Sequence, residues 1–299
     1  MKISVVIPSY NQAAYLPATL ESVCSQTHPD VEVLVFDGGS TDGSVDILRG
    51  WDAARSGGHP IRWVSQKDGG QADAINQGLR ESTGEVLAFL NSDDVYYPGA
   101  LAAVAAHFEA DPTCLALYGK AHHLHADGSV MEEYPTAPWD YDRLLETCFL
   151  CQPATFWRRE VVERFGVLDD TLRYALDYEY WLRVGRVVPF HYLDTHFLAG
   201  SRLHEDTKTL RDRVPVHLEL ARVVKKYASA PGPVLRWIKH LAHHKAYERE
   251  SSDPGDFPGR QRFLAAMVTH CLLYADALDV PLDDAFLTGL EDDLAAVGL

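Results

Sequence analysis

The residues best suited to chemistry lie in four short stretches. Asn91-Ser92-Asp93-Asp94 follows an apolar run and sets two carboxylates side by side, where they can hold a hard divalent cation through oxygen. Magnesium or manganese is the expected ion, because it divides its shell between one or two carboxylates and ligand phosphates. The same acids also suit the cap of a helix beginning near Pro98-Gly99. Asp37-Gly38-Gly39-Ser40-Thr41-Asp42 joins a carboxylate that can accept from a base imide or ribose hydroxyl to glycines that permit close backbone approach. A strand-to-helix turn capped by Ser40, Thr41 or Asp42 has this pattern too.

Asp177-Tyr178-Glu179-Tyr180-Trp181 places two acids among aromatics, and an apolar setting raises a carboxylate's proton affinity toward that of a general base. The plainer reading is an amphipathic helix with Tyr178, Trp181 and Leu182 inside. His204, within Arg202 to Lys208, can complete a metal shell or donate to a leaving diphosphate, with Arg202 or Lys208 adding positive charge. His122, His123 and His125 alternate, which splits them between the faces of a hairpin, so no zinc site is expected there. Cys148 and Cys151 have redox spacing without a thioredoxin-like context and read as small buried hydrophobes.

The elements that must position these residues follow from periodicity. Ile3 to Ile7, Val31 to Phe36, Ile61 to Val64 and Val86 to Leu90 are compact apolar runs, the pattern of buried parallel strands. Between them, Leu16 to Val23, Val45 to Leu48 and Ala72 to Leu79 carry helical spacing, with a Gly-containing link before Ile61. Each polar cluster of this half follows a strand's carboxyl end, the edge where open α/β sheets bind ligands. Further on, Ala121 to Tyr134 reads as an inserted hairpin turning at Asp127-Gly128. Trp139 to Leu150, Glu160 to Phe165 and Asp177 to Val184 read as helices, and Val187 to Leu193 as a strand. Leu218 to Tyr227, Val234 to Tyr247 and Phe263 to Leu278 make a helical tail broken by a Pro/Gly/Asp-rich loop, Ser251 to Gly259.

Composition narrows the classes. The chain has 299 residues and a formal charge of -16, which disfavours a nonspecific nucleic-acid binder needing clustered Lys and Arg. Five cysteines form no regular framework. The N-terminus reads as a strand rather than a signal peptide, and no segment approaches the roughly 18 apolar residues of a spanning helix. A cytoplasmic protein is expected, with peripheral contact at the inner membrane face if its acceptor is lipid-linked.

Taken in order, Ile3-Ser4-Val5-Val6-Ile7-Pro8-Ser9-Tyr10-Asn11, the Asp37 loop, Asn91 to Asp94 and Asp177 to Trp181 resemble family 2 glycosyltransferases of GT-A fold. Lys67-Asp68-Gly69-Gly70-Gln71-Ala72-Asp73-Ala74-Ile75-Asn76 looks like a variant common in polysaccharide-forming members. The resemblance covers about residues 1 to 210. It implies an α/β GT-A domain over 1–210, with a nucleotide-sugar half at 1–110 and an acceptor half at 111–210, followed by a helical C-terminal extension over 211–299.

By that resemblance Pro8, Ser9, Tyr10, Asn11, Asp37, Gly38, Lys67, Asp68, Asp73, Asn76, Asn91, Ser92 and Asp93 border the nucleotide sugar. Asn91 and Asp93 fill the two defining positions of a DXD-type motif. Asp93 and His204 are then the metal ligands, with Asp94 as alternative, for Mn²⁺ or Mg²⁺. Asp177 takes the general-base position, with Glu179 as alternative, and Gln152 and Trp181 fall on the acceptor side. The implied activity is inverting transfer of a sugar, with UDP-hexose favoured, from a nucleoside diphosphate to a saccharide, lipid-linked saccharide or other hydroxyl in polysaccharide or glycoconjugate synthesis. A homo-oligomer through the helical tail fits the same picture. Two other readings share the core: a sugar-1-phosphate nucleotidyltransferase, disfavoured because Pro8 to Ala14 holds no Arg or Lys, and a non-catalytic carbohydrate-binding or assembly module.

Overall fold

The computed structural model describes residues 1–51, 58–248, 257–296 and 298. Part of the Gly-containing link before Ile61 and Ser251 to Asp256 of the expected tail loop lie outside the described residues. Contacts divide the chain into two compact units, Met1–Tyr141 with Cys148–His204 and Asp142–Thr147 with Glu205–Leu299.

The first unit is built on one mixed sheet. Its parallel half comprises β1 (Ile3–Ser9), β2 (Val31–Asp37), β3 (Ile61–Ser65) and β4 (Val86–Phe89). All seven side chains of β1 and all four of β4 are buried, as expected of strands covered on both faces. Ile3 aligns with Val31 on one side and Val86 on the other, and Val33 aligns with Ile61. The crossovers are α1 (Leu16–Cys24), α2 (Ser44–Gly50) and α3 (Gln71–Glu81). At Gly78 of α3 an added Cβ would lie 2.3 Å from Val6 Cγ1 and 3.1 Å from Phe36 Cε2, so the helix backbone rests directly on β1 and β2.

The second half of the sheet is less regular. After β5 (Val95–Tyr96) and α4 (Ala100–Ala110), β6 (Ala116–Leu124) turns at Asp127-Gly128 into β7 (Val130–Glu133), with Gly128 at φ 88°. Then come α5 (Tyr141–Glu146), β8 (Thr155–Arg158), α6 (Arg159–Phe165), α7 (Leu176–Gly185) and β9 (His191–Arg202). The sheet runs β3-β2-β1-β4-β8-β6-β9-β5, with β7 on β6. β8 joins the halves, antiparallel to both β4 and β6. Two expectations are revised here. The helix foreseen over Trp139 to Leu150 is confined to α5, and the strand foreseen over Val187 to Leu193 begins at His191 and continues to Arg202.

The second unit is helical: α5 apart from Tyr141, then α8 (Lys208–Arg211), α9 (Arg213–Tyr227), α10 (Pro231–Tyr247), α11 (Phe257–Ala277) and α12 (Asp284–Ala295). Phe257 already begins α11, so the expected loop stops short of Gly259. Ala242, Ala246, Phe263, Met267, Cys271 and Leu290 form its buried apolar cluster. Among the described residues no helix is long and apolar enough to cross a membrane.

Candidate active site

The carboxyl ends of β1, β2, β3 and β4 present the loops that carry the expected donor residues. Asn11, with φ 52°, clips the first loop to the second: its N–H donates to Ser40 Oγ at 2.8 Å and its Oδ1 accepts from Thr41 N at 2.9 Å. Tyr10 stands out into solvent, 63% exposed. Pro8 and Ser9 are buried beneath it, and Ser9 Oγ has no hydrogen-bond partner among the described residues.

Asp37 behaves as a loop clamp. Its Oδ2 accepts from Gly39 N at 3.1 Å, Ser40 N at 2.9 Å and Ser65 Oγ at 2.7 Å, while Oδ1 accepts from Ser40 Oγ. Beside it, a Cβ on Gly38 would lie 3.0 Å from Asp68 Oδ2, so a side chain there would press on the Asp68 carboxylate. Asp68 Oδ1 accepts from Gly70 N at 2.9 Å, and Asp73 Oδ2 accepts from Gly69 N at 2.9 Å, shaping the turn into α3. Lys67 is exposed at the start of that turn. Asn76 departs from its expected place at the nucleotide sugar. It is buried, and its amide pairs with the backbone of Leu168, donating at 2.9 Å and accepting at 3.0 Å.

The loop after β4 holds the densest polar network. Asn91 Oδ1 accepts from Gln71 Nε2 at 2.7 Å, and its Nδ2 donates to Gln152 Oε1 at 3.1 Å and Asp94 Oδ2 at 3.2 Å. Its amide is therefore committed to holding the loop. Gln71 opens α3, and its residue type alone gives no sign in the sequence of this contact. Gln152, expected on the acceptor side, instead braces this loop from below, with Nε2 donating to Phe89 O at 2.7 Å. Ser92 is buried.

Asp93 and Asp94 point differently. Asp93 Oδ2 lies 3.0 Å from His204 Nε2, with side chains 18% and 5% exposed, so the carboxylate opens to solvent while the imidazole backs it. The His204 ring packs 4.5 Å from that of Tyr15. Asp94 turns inward, Oδ1 accepting from Arg202 N at 2.8 Å and Oδ2 from Asn91. Burial, then the neighbouring Asp93 charge, pushes its carboxyl well above the usual range. Both its oxygens are engaged, which removes Asp94 as the alternative metal ligand. Arg202 donates to Asp93 O at 2.8 Å and Ala126 O at 2.9 Å, so its guanidinium fixes backbone rather than facing a ligand. The capping alternative fails as well: β5 intervenes, and Gly99 precedes α4 at φ 82° with no side-chain cap.

On α7 the two acids part. Glu179 is buried in a two-pronged pair with Arg183, whose Nη2 lies 2.9 Å from Oε2 and whose Nε lies 3.1 Å from Oε1. Arg183 also donates to Phe165 O and Val167 O. This pairing corrects the reading of Glu179 as an alternative base. Trp181 is 0% exposed, edge-on to Trp157 at 5.5 Å and Phe190 at 5.7 Å, a core residue rather than an acceptor contact. Asp177, by contrast, is partly exposed at the helix start, with Oδ1 accepting from Tyr178 N at 2.8 Å.

Asp177 and Asp94 meet electrostatically at one thiol. Burial first, then Asp94, Cys148 and Asp177, pushes Cys151 well up. Burial and Asp177 push Cys148 up to about 12. All five cysteines are free. The loop after β4 and the start of α7 therefore flank Cys151, and Gln152 beside it bonds to Asn91. The assembly is acidic: Asp68, Asp73, Asp93 and Asp177 are partly exposed, while Lys67 is exposed and Arg202 is buried. Such a surface repels a diphosphate unless a divalent ion intervenes. Two cis ligands of an octahedral ion at about 2.1 Å stand about 3.0 Å apart, the separation between an Asp93 oxygen and His204 Nε2.

A family model described as Glycosyl transferase family 2 matches residues 4–166. An uncharacterized glycosyltransferase of Nostoc sp. is 34% identical over 181 residues, 56% of this chain and 54% of that protein. Chondroitin synthase of Escherichia coli is 27% identical over 240 residues, 77% of this chain and 34% of that one. The chain thus matches about half the length of the first relative and about a third of the second. Among solved structures, S. aureus TarS residues 1–349 with UDP-GlcNAc gives TM-score 0.61 at 18% identity, covering 99% of this chain and 90% of that one. Mannosyltransferase PcManGT from Pyrobaculum calidifontis with GDP-Man and Mn²⁺ gives TM-score 0.61 at 20% identity, covering 99% and 85%.

Proposed function

This chain belongs to glycosyl transferase family 2 and has the GT-A fold, and from that premise we propose that it moves a hexose, with inversion, from a nucleoside diphosphate to an acceptor hydroxyl. The observation that carries the reading is the Asp93–His204 pair, 3.0 Å apart, with Asp93 on the loop that follows β4, while Asp94 of the same loop and Asp177 both act on the Cys151 thiol. Solved relatives of the fold bind UDP-GlcNAc and GDP-Man. A UDP-hexose is the favoured donor, and polysaccharide or glycoconjugate synthesis the favoured context.

Asp93 and His204 would hold Mn²⁺ or Mg²⁺. The ion, when bound, neutralises charge gathering on the departing diphosphate. The residues of the chain do the rest. The Asn11–Ser40 clip and the Asp37 clamp keep the donor loops in place, so little ordering remains for the moment of binding. Ser9 Oγ offers a buried hydroxyl under the donor side. Asp177 accepts the acceptor's proton as its oxygen attacks the anomeric carbon.

The test is a panel of UDP-, GDP- and dTDP-sugars with Mn²⁺ or Mg²⁺, read as donor affinity and nucleoside diphosphate release. One donor class should bind in a metal-dependent way, and Asp93→Ala should weaken that binding at least about tenfold. Equal affinity in chelator and in the variant would remove the metal role. Consumption of a nucleoside triphosphate with release of pyrophosphate would replace the transferase by a nucleotidyltransferase.

A further inference from the structure

Away from this site, α4, the link to β6 and the start of β9 bring together three side chains whose ligand atoms all lie within 4.8 Å of one another: His107, Cys114 and His191. We propose that these three residues, with Asp111 as fourth ligand, form a second metal site suited to Zn²⁺ or another borderline transition ion. His107 Nε2 and His191 Nδ1 are 3.3 Å apart, and Asp111 Oδ2 lies 3.7 Å from His191 Nδ1. In a tetrahedral zinc site with bonds of about 2.0–2.3 Å, neighbouring ligand atoms stand roughly 3.3–3.7 Å apart. Side-chain adjustment of about 1 Å brings the three to that spacing, and Asp111, already at His191, has to swing further in to become the fourth.

The donor set decides the ion. One thiol, two imidazoles and a carboxylate suit zinc and exclude magnesium, which prefers oxygen. This sets the cluster apart from Asp93 and His204, which offer no sulfur. Cys114 is fully buried, and its sulfur donates weakly to Ala116 O at 3.4 Å. Burial, then the Asp111 charge, pushes the thiol up to about 12 against the opposing pull of Arg158. Binding would take it as thiolate and release close to one proton per ion. Burial, then His191, lowers His107, against Asp111, which favours the neutral ring that ligates. Both rings are partly exposed, leaving an entry path. Because His191 aligns with Leu117 where β6 and β9 pair, an ion here would fasten α4 to that strand pair. With four protein ligands it would be structural.

Co²⁺ titrated into the chelator-treated full chain should give a thiolate-to-cobalt charge-transfer band with release of about one proton per ion. Zn²⁺ should bleach the band and raise Tm. Cys114→Ser should abolish the band and the Tm rise and weaken Zn²⁺ at least about tenfold, while Cys148→Ser keeps them. His107→Gln, at a partly exposed position, should weaken Zn²⁺ similarly and gives the decisive variant if Cys114→Ser fails to fold. No thiolate band in the wild type, or a band and Zn²⁺ affinity unchanged in Cys114→Ser or His107→Gln, overturns the proposal.

Discussion

Asp177 and Glu179 are two positions apart on α7, a turn of about 200° around the axis, and their surroundings differ. Glu179 is buried and held by Arg183, whereas Asp177 is partly exposed near Cys148 and Cys151. Asp177→Asn should keep donor affinity near wild type and lower transfer by about 10²- to 10⁴-fold; Glu179→Gln should lower Tm while the folded fraction turns over normally. Single-turnover rates beside donor titrations check both, and a normal rate in the Asn variant would remove Asp177 as base. The family resemblance points to Asp93, His204 and Asp177, and the structure sets Asp93 beside His204. The sequence does not reveal that Asn76, Gln152, Glu179 and Trp181 face inward, because direction depends on what packs against each: the Leu168 backbone, the Phe89 carbonyl, Arg183 and Trp157.

At the level of elements, β1, β2 and β4 are legible because both of their faces are covered and each is mostly apolar, interrupted only by Ser4 in β1 and Glu32 in β2 before their polar ends. β9 is not. Its first half is partly or fully exposed and its second half largely buried, so it shows no single period, and β5, two residues long, is too short to show any. Tight helix-to-sheet contact is equally silent in a sequence, where Gly78 reads as a tolerated interruption of α3. With a Cβ falling 2.3 Å from Val6 Cγ1, Gly78→Ala should destabilise the first unit by about 1–3 kcal/mol despite the better helix propensity of alanine. Urea unfolding checks this, and a stabilising result would mean that α3 rides higher on the sheet than described.

At the scale of the whole molecule, the helical unit carries its own sensitivity to acid. His217 of α9 lies 4.4 Å from His244 of α10, with His240 close by. Burial first, then mutual repulsion with His243 and the cations Arg213, Arg236 and Lys239, lowers all three, His244 to about 4. Their unfolded values are near 6.5, so the unfolded chain binds more protons below that pH. The stability they confer is complete above about 6.5 and declines as pH falls toward 4. Hydrogen exchange, corrected for intrinsic rate, should show α9 and α10 losing protection at pH 5 relative to 7.5, with His244→Gln reducing the loss. Equal protection at both values would count against it.

β9 lies between β6 and β5 and leads directly to His204, so the sheet closes in an order unlike the order of the chain. A growing polypeptide can lay down β1, β2, β3 and β4 as soon as they emerge. The partner of Asp93, 111 positions later, arrives only after a further roughly 6–20 s of synthesis at about 5–20 residues per second. Until then the acidic loop after β4 lacks its imidazole, so the frame that positions Asp93 exists before the residue that pairs with it.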